Sequence, residues 1–377
     1  MINNPLNQRV QQLIDDLVES GEEVGLQVAA YLEGELVVDA WAGLADEATG
    51  RPVNGDTLFT SWSTTKGFAA TCLHLLADRG MIDYDTPVAE YWPEFAAHGK
   101  SKVTVRDVLT HRAGVPHMPE GVTPQMICDW EAMCSAIAKA EPLWTPGEKT
   151  GYHAWTFGWI IGELVRRVDG RPVAQFAQEE LCRPLGIDTF YLGIPEGVEN
   201  RVATLRNEPV PPEATVPMGE LNRRAMPAQV TSAETMNRPE VRRASIPGAG
   251  GMMNARAIAC HYAMLAGGGE LAGLRLLSPE RIKQMRALQT DAYDLVLERR
   301  VRKGLGYFLG GEEAQGGRRS MGPSGREFGH PGLGGSIGFA DPERKLAVGL
   351  TKTLLKAPQD PDKTTAYRVA ETIRQQL

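Results

Sequence analysis

The order of hydrophobic and polar positions separates the two ends of the chain from its middle. Leu6, Val10, Leu13, Ile14 and Leu17 recur at helical spacing, and Gly21 stops the run. Asn4-Pro5 supplies an N-cap followed by proline at the first helical position. Two extended segments follow, Leu26–Leu32 and Leu36–Trp41, with Glu33-Gly34-Glu35 between them as a hairpin loop. The far end mirrors this. Ser336–Ala340 and Leu346–Thr351 are β-like, Asp341-Pro342-Glu343-Arg344 joins them, and Thr364–Leu377 reads as a helix. Strands at both ends without strand–helix alternation predict an α+β fold, an antiparallel sheet built from the two termini with helices packed on it.

The middle differs. Residues 67–185 are rich in helical runs. The expected organisation is a discontinuous α/β sheet domain of residues 1–80 and 186–377 and a smaller, mainly helical domain of residues 81–185, with the site in the cleft between them. Residues 200–247 carry seven prolines (209, 211, 212, 217, 227, 239 and 247) and little periodicity. That pattern predicts a long irregular loop serving as a lid, a binding loop or a disordered segment.

Composition narrows the function. The chain has 377 residues, 42% hydrophobic and 23% charged, enough for a large core and more than one domain. Acidic residues number 47 against 40 basic ones, and the net charge of −7 weighs against non-specific nucleic-acid binding, which needs a basic face. No apolar run reaches the roughly 18 residues of a membrane span. Met1–Pro5 offers neither a basic nor an apolar leader region, so a cytoplasmic protein is expected. Five scattered cysteines (72, 128, 134, 182 and 260) have no disulfide-framework or zinc spacing and read as small buried hydrophobes. The seven histidines show no metal-ligand spacing, so no metal or organic cofactor is expected. His74 reads as a core residue, and Gly248-Ala249-Gly250-Gly251 as a turn.

Candidate chemistry begins at Ser63-Thr64-Thr65-Lys66. The stretch Phe68–Asp78 is apolar on nearly all sides and Gly80 ends it, so the helix is buried. Ser63 is expected in its first turn, with Lys66 on the same face. Desolvation lowers the pKa of a buried amine, which can then take a proton from a serine hydroxyl, a poor nucleophile without a base. Among eleven serines only Ser63 has lysine three residues on. A capped helix with a nearby surface lysine is the competing reading, and the apolar surroundings argue against it.

Two further segments join this one. Pro146–Ala154 is turn-rich and precedes a helix, Phe157–Val168, which places Tyr152 on a loop from which a phenol reaches a cleft. A lysine ammonium nearby would favour its phenolate, making it a general base; packing is the alternative role. Phe328–Phe339 holds five glycines beside a strand and lets backbone approach a ligand closely. An exposed edge N–H there, with that of Ser63, would form an oxyanion hole; a bulged edge strand is the alternative.

Ser63-x-x-Lys66, Tyr152-His153-Ala154 and His330-Pro331-Gly332, in this order, resemble the serine β-lactamase-like superfamily. The match is nearest to the family VIII carboxylesterases, relatives of class C β-lactamases. Thr145-Pro146-Gly147, Gly329–Ser336 and Leu109–Val115 add to the likeness, which covers about residues 8–375. The resemblance implies a β-lactamase-like fold and a serine hydrolase of small carboxylic esters that works through an acyl-enzyme. Ser63 would be the nucleophile, Lys66 and Tyr152 its activators, and Tyr152 the proton donor to the leaving group. The N–H groups of Ser63 and Leu333 would bind the oxyanion. His330, beside Gly332, would stand where β-lactamases carry the lysine of K-T-G. Class C enzymes also have asparagine where this chain has Ala154. Both departures favour neutral esters over anionic lactams.

Three other readings compete. A β-lactamase, peptidase or acyltransferase would use the same scaffold, and a non-catalytic binding protein would keep the fold alone. Gly334-Gly335-Ser336-Ile337-Gly338 also matches G-x-S-x-G, yet that nucleophile elbow needs a following helix, and here a β-hairpin is expected. Ser63→Ala therefore abolishes ester hydrolysis and labelling by a serine-directed phosphonate, read by mass spectrometry, whereas Ser336→Ala keeps both. The reverse pattern would make Ser336 the nucleophile.

Overall fold

The computed structural model describes residues 2–209, 218–312, 316–356 and 360–377. Helix α1 (Pro5–Glu19) is capped by the Asn4 side chain, which accepts a 2.7 Å hydrogen bond from the Asn7 N–H. Strands β1 (Gly25–Leu32) and β2 (Glu35–Asp46) follow as an antiparallel hairpin. Its two turn residues, Glu33 and Gly34, both have positive φ (51° and 88°), which matches the twist of the flanking strands. β2 runs several residues beyond the predicted segment and pairs with the short β3 (Arg51–Pro52).

The C-terminal half completes the sheet with β4 (Thr290–Asp294), β5 (Arg299–Lys303), β6 (Phe308–Leu309), β7 (Phe328–Pro331), β8 (Ile337–Asp341) and β9 (Leu346–Lys352). The nine strands lie in the order β4-β5-β6-β7-β8-β9-β1-β2-β3, antiparallel throughout. The two chain ends meet at the β1–β9 pairing, as the terminal patterns predict. Hydrophobic burial on both faces drives this layering, and β9 is buried along its whole length.

One face of the sheet is covered by α1 and the C-terminal helix Thr365–Arg374. The other is covered by the helix Ala255–Ala266, which crosses β1, β8 and β9. It sits close because Gly338 and Gly349 face each other beneath it; a Cβ on Gly349 would lie 2.5 Å from the Ala255 carbonyl oxygen. Behind it lies α2 (Thr65–Asp78), buried from Thr65 to Ala77, and this packs against α3 (Thr156–Asp169). Gly170 ends α3 in the left-handed conformation.

The proline-rich stretch differs from the predicted loop. Its described residues form a strand (Arg206–Asn207) and three short helices, Glu220–Ala225, Ala233–Met236 and Pro239–Arg243. The elements are too short for an apolar period to show, and Pro239 opens a helix where it reads as a breaker. Pro211, Pro212 and Pro217 lie outside the described residues. His74 is a core residue, bonded to the Tyr84 hydroxyl at 2.6 Å and the Leu305 carbonyl at 3.0 Å. The five cysteines are free, and all but Cys128 are buried. Among the described residues no helix is long and apolar enough to cross a membrane.

Candidate active site

The segment carrying Ser63 is bent before it becomes a helix. The Ser61 N–H donates to the Gly251 carbonyl at 2.9 Å. Trp62 then turns left-handed, with φ of 47°. A bulky residue adopts that conformation only under external constraint, at a cost of order 1–3 kcal/mol. Thr65 supplies part of the constraint: its hydroxyl donates to the Trp62 carbonyl at 2.5 Å and accepts from the Gly251 N–H at 3.0 Å. Ser63 therefore lies in a 3-10 turn, Trp62–Thr64, just ahead of α2 rather than in its first α-helical turn. It is half-buried while the residues on either side are fully buried, so its hydroxyl has access.

Lys66 is the second residue of α2 and is wholly buried. Its Nζ lies 3.0 Å from Ser63 Oγ, 2.6 Å from the Ala154 carbonyl and 2.7 Å from the Gly248 carbonyl. No carboxylate is among these partners, and burial pushes the amine well below its ordinary pKa. A neutral amine has two N–H groups and one lone pair. The two carbonyls can only accept, so in the neutral form they would take both N–H groups and leave the lone pair for the Ser63 proton. The Ala154 backbone thus binds Lys66 in a sequence that lacks the asparagine side chain.

Tyr152 approaches from the loop before α3, nearly fully buried, with its ring 5.0 Å from Lys66 Nζ. Burial raises the phenol pKa above its ordinary value, the Ser63 hydroxyl opposes this, and the Asp294 charge adds to the rise. The phenolate expected from the sequence is therefore not the resting form. The amine meant to stabilise it is desolvated, and the phenol keeps its proton.

The glycine-rich segment closes the site. β7 pairs with β8 along its whole length, and with β6 only at Phe328 and Gly329. The chain leaves β7 through a 3-10 turn, Leu333–Gly335. Leu333 opens this turn, so its N–H has no intrahelical partner. The Gly332 N–H is bound to the Ser336 carbonyl at 2.7 Å. A Cβ on Gly332 would collide with Ser336 Oγ and the Ser61 carbonyl, so glycine alone lets this loop lie against the Ser63 turn. Ser336 is buried in an extended conformation and donates to the Ser61 carbonyl at 2.9 Å. It acts as a clip between strand and turn, and no helix follows it.

His330 lies in β7 with its ring 6.0 Å from that of Tyr152 and 4.7 Å from that of Phe308. Its Nδ1 contacts the Pro331 carbonyl at 2.8 Å, so Nδ1 carries the proton and Nε2 is an acceptor. Burial holds its pKa well below the ordinary value, so the ring is neutral.

Gly248 and Asp294 have no local signature, and His111 is marked only as part of the Leu109–Val115 motif. The Gly248 carbonyl belongs to a segment read only as a turn. His111, left-handed at φ 60°, accepts from the His153 N–H at 3.1 Å through Nδ1, and its carbonyl accepts from the Gly151 N–H at 3.0 Å. Asp294 accepts from the Tyr152 N–H at 3.0 Å. The aromatic residues near the motifs are core: Trp62 meets Trp155 edge-on at 6.3 Å, and Tyr307 bonds Thr71 at 2.6 Å. Among the described residues no three His, Cys, Asp or Glu side chains form a metal-binding group.

Comparison with known proteins gives the family and the fold. The family described as Beta-lactamase matches residues 10–372. This chain belongs to the beta-lactamase family. The family member is 38% identical to "Esterase/beta-lactamase LipL" of Mycobacterium tuberculosis, over 89% of this chain and 78% of that protein. It superimposes on the crystal structure of a family VIII carboxylesterase with a TM-score of 0.91 at 37% identity, covering 100% of this chain and 99% of the other. A penicillin-binding protein homolog from Caulobacter crescentus is similar at 35% identity and a TM-score of 0.89, over 100% and 99% of the two chains. The sheet and its flanking helices are thus those of a beta-lactamase-like fold.

With neutral Lys66 as proton acceptor, activity is lost as the pH falls through the amine's own pKa, because protonation removes the lone pair. Burial moves that pKa down, so the acid limb of log(kcat/KM) for an ester lies well below the ordinary lysine range near about 10.4. A limb at the ordinary lysine position would contradict this.

Proposed function

We propose that this beta-lactamase-family chain is a serine carboxylesterase that cleaves small carboxylic esters through an acyl-enzyme on Ser63. Lys66 accepts the Ser63 proton as Oγ attacks the ester carbonyl. The N–H groups of Ser63 and Leu333 receive the oxyanion that forms. Tyr152 gives its proton to the leaving alcohol as the C–O bond breaks, and the new Lys66 ammonium beside it stabilises the phenolate. Water then attacks the acyl-enzyme, loses its proton to this pair, and Ser63 leaves reprotonated with the carboxylic acid as product.

The observation that carries this reading is the Lys66 amine, 3.0 Å from Ser63 Oγ, with two carbonyls occupying its remaining hydrogen-bonding capacity. Neutral His330 supports esters over β-lactams, because the ring offers no fixed positive charge to a lactam carboxylate. Gly332 holds the oxyanion loop against the nucleophile turn. The reading places the reaction in a cleft between a sheet unit (1–80 and 186–377), which supplies Ser63, Lys66, His330 and Leu333, and a helical unit (81–185), which supplies Tyr152.

Two substrates test the proposal. A short p-nitrophenyl ester is hydrolysed, whereas nitrocefin turns over weakly or not at all; preferential nitrocefin turnover would instead make the protein a β-lactamase. Tyr152→Phe lowers kcat on a simple alkyl ester by on the order of 10²–10⁴-fold. The loss is smaller with p-nitrophenolate, a leaving group that needs little help from an acid. Unchanged alkyl-ester turnover would leave Lys66 as the sole proton carrier.

A further inference from the structure

The loop that carries Tyr152 has no regular secondary structure, yet three successive N–H groups in it are held from outside. Gly151 and His153 donate to His111, and Tyr152 donates to Asp294. Asp294 ends β4, at the outer edge of the sheet, and is fully buried. Its Oδ1 accepts from Tyr152 at 3.0 Å, from Val296 at 3.0 Å and from Leu297 at 2.8 Å. Its Oδ2 accepts from Lys303 Nζ at 2.6 Å. Lys303, on the paired strand β5, is also buried and donates to Thr150 Oγ1 at 2.5 Å. The Leu295 N–H donates to the Thr150 carbonyl at 3.0 Å. One carboxylate and one ammonium therefore tie the β4–β5 hairpin to the residues on and before Tyr152.

A buried ion pair is poor evidence for stability, because desolvating two charges offsets their attraction. A capped hairpin turn needs only the Val296 and Leu297 bonds. The contacts to Thr150 and Tyr152 are additional, and a charged acceptor fixes a backbone N–H more tightly than a neutral one. We propose that Asp294 and Lys303 are a positioning pair, which sets where the Tyr152 phenol meets Ser63 by holding the Tyr152 backbone from behind. The proposal rests on the reading of Tyr152 as proton donor. Neither residue touches the reacting atoms.

The test is a double-mutant cycle on a simple alkyl ester, comparing Asp294→Asn, Tyr152→Phe and their combination with the parent. Asparagine keeps an acceptor oxygen and removes the charge. Asp294→Asn lowers kcat by about 10–100-fold with KM within about twofold, the scale of a misplaced catalytic group. In the Tyr152→Phe background the same substitution costs less than about twofold, because the group it positions is gone. An equal loss in both backgrounds would make Asp294 a general structural residue and overturn the proposal, as would full activity in Asp294→Asn. If Tyr152→Phe alone is silent, the assignment of Tyr152 fails and the positioning role falls with it, a result distinct from an equal loss. Circular dichroism melting checks folding. Should Asp294→Asn not fold, Asp294→Asn/Lys303→Gln, which leaves no unpaired buried charge, replaces it in the same cycle with the same expected outcomes.

Discussion

The site depends on one amine held out of water, with no counter-ion among the described residues. Lys66 is wholly buried, and its partners are two backbone carbonyls and one hydroxyl. A carboxylate in their place would stabilise the ammonium and remove the base. Neutral acceptors do the opposite: they satisfy the N–H groups of the uncharged amine and offer no charge to hold a third proton. The remaining structure supplies those acceptors. α2 buries the side chain, the Tyr152 loop brings the Ala154 carbonyl, and the segment after Pro247 brings that of Gly248.

The same constraint explains why the nucleophile's turn is bent. A serine inside a regular, fully buried helix would be as inaccessible as the lysine. The left-handed Trp62 and the 3-10 turn lift Ser63 to a half-exposed position while leaving Lys66 one turn deeper. The cost of that bend is met by the bonds from Thr65, Gly251 and Ser336. Tyr152 and the turn after Gly332 then approach the Ser63 segment, each pinned to a separate part of the sheet. The beta-lactamase-like fold contributes the frame in which these distant segments meet.

Much of this was legible in the sequence where the signal is local. The S-x-x-K spacing on an apolar helix, the tyrosine just before α3 and the terminal hairpins are short-range patterns, and the structure has them. The contributors without a pattern act over long separations. Gly248 lies 182 residues from Lys66, and Asp294 lies 142 from Tyr152. A backbone carbonyl has no residue type to announce it, and an aspartate at a hairpin corner reads as a turn former wherever it points. The phenolate expected for Tyr152 failed for a related reason. Sequence order shows that a lysine is near, but not that the same burial that lowers the lysine pKa also holds the proton on the phenol. The proline-rich segment hid its helices because each is too short to show a period.

The most direct measurement is the protonation state of Lys66 itself. In protein carrying ¹³C- and ¹⁵N-labelled lysine, its side-chain resonances are assigned by their loss in Lys66→Met and followed by NMR through a pH titration. The account predicts a neutral amine at neutral pH, which becomes an ammonium only as the solution is acidified. A resonance that stays ammonium-like up to the ordinary lysine range, near about 10.4, would contradict it.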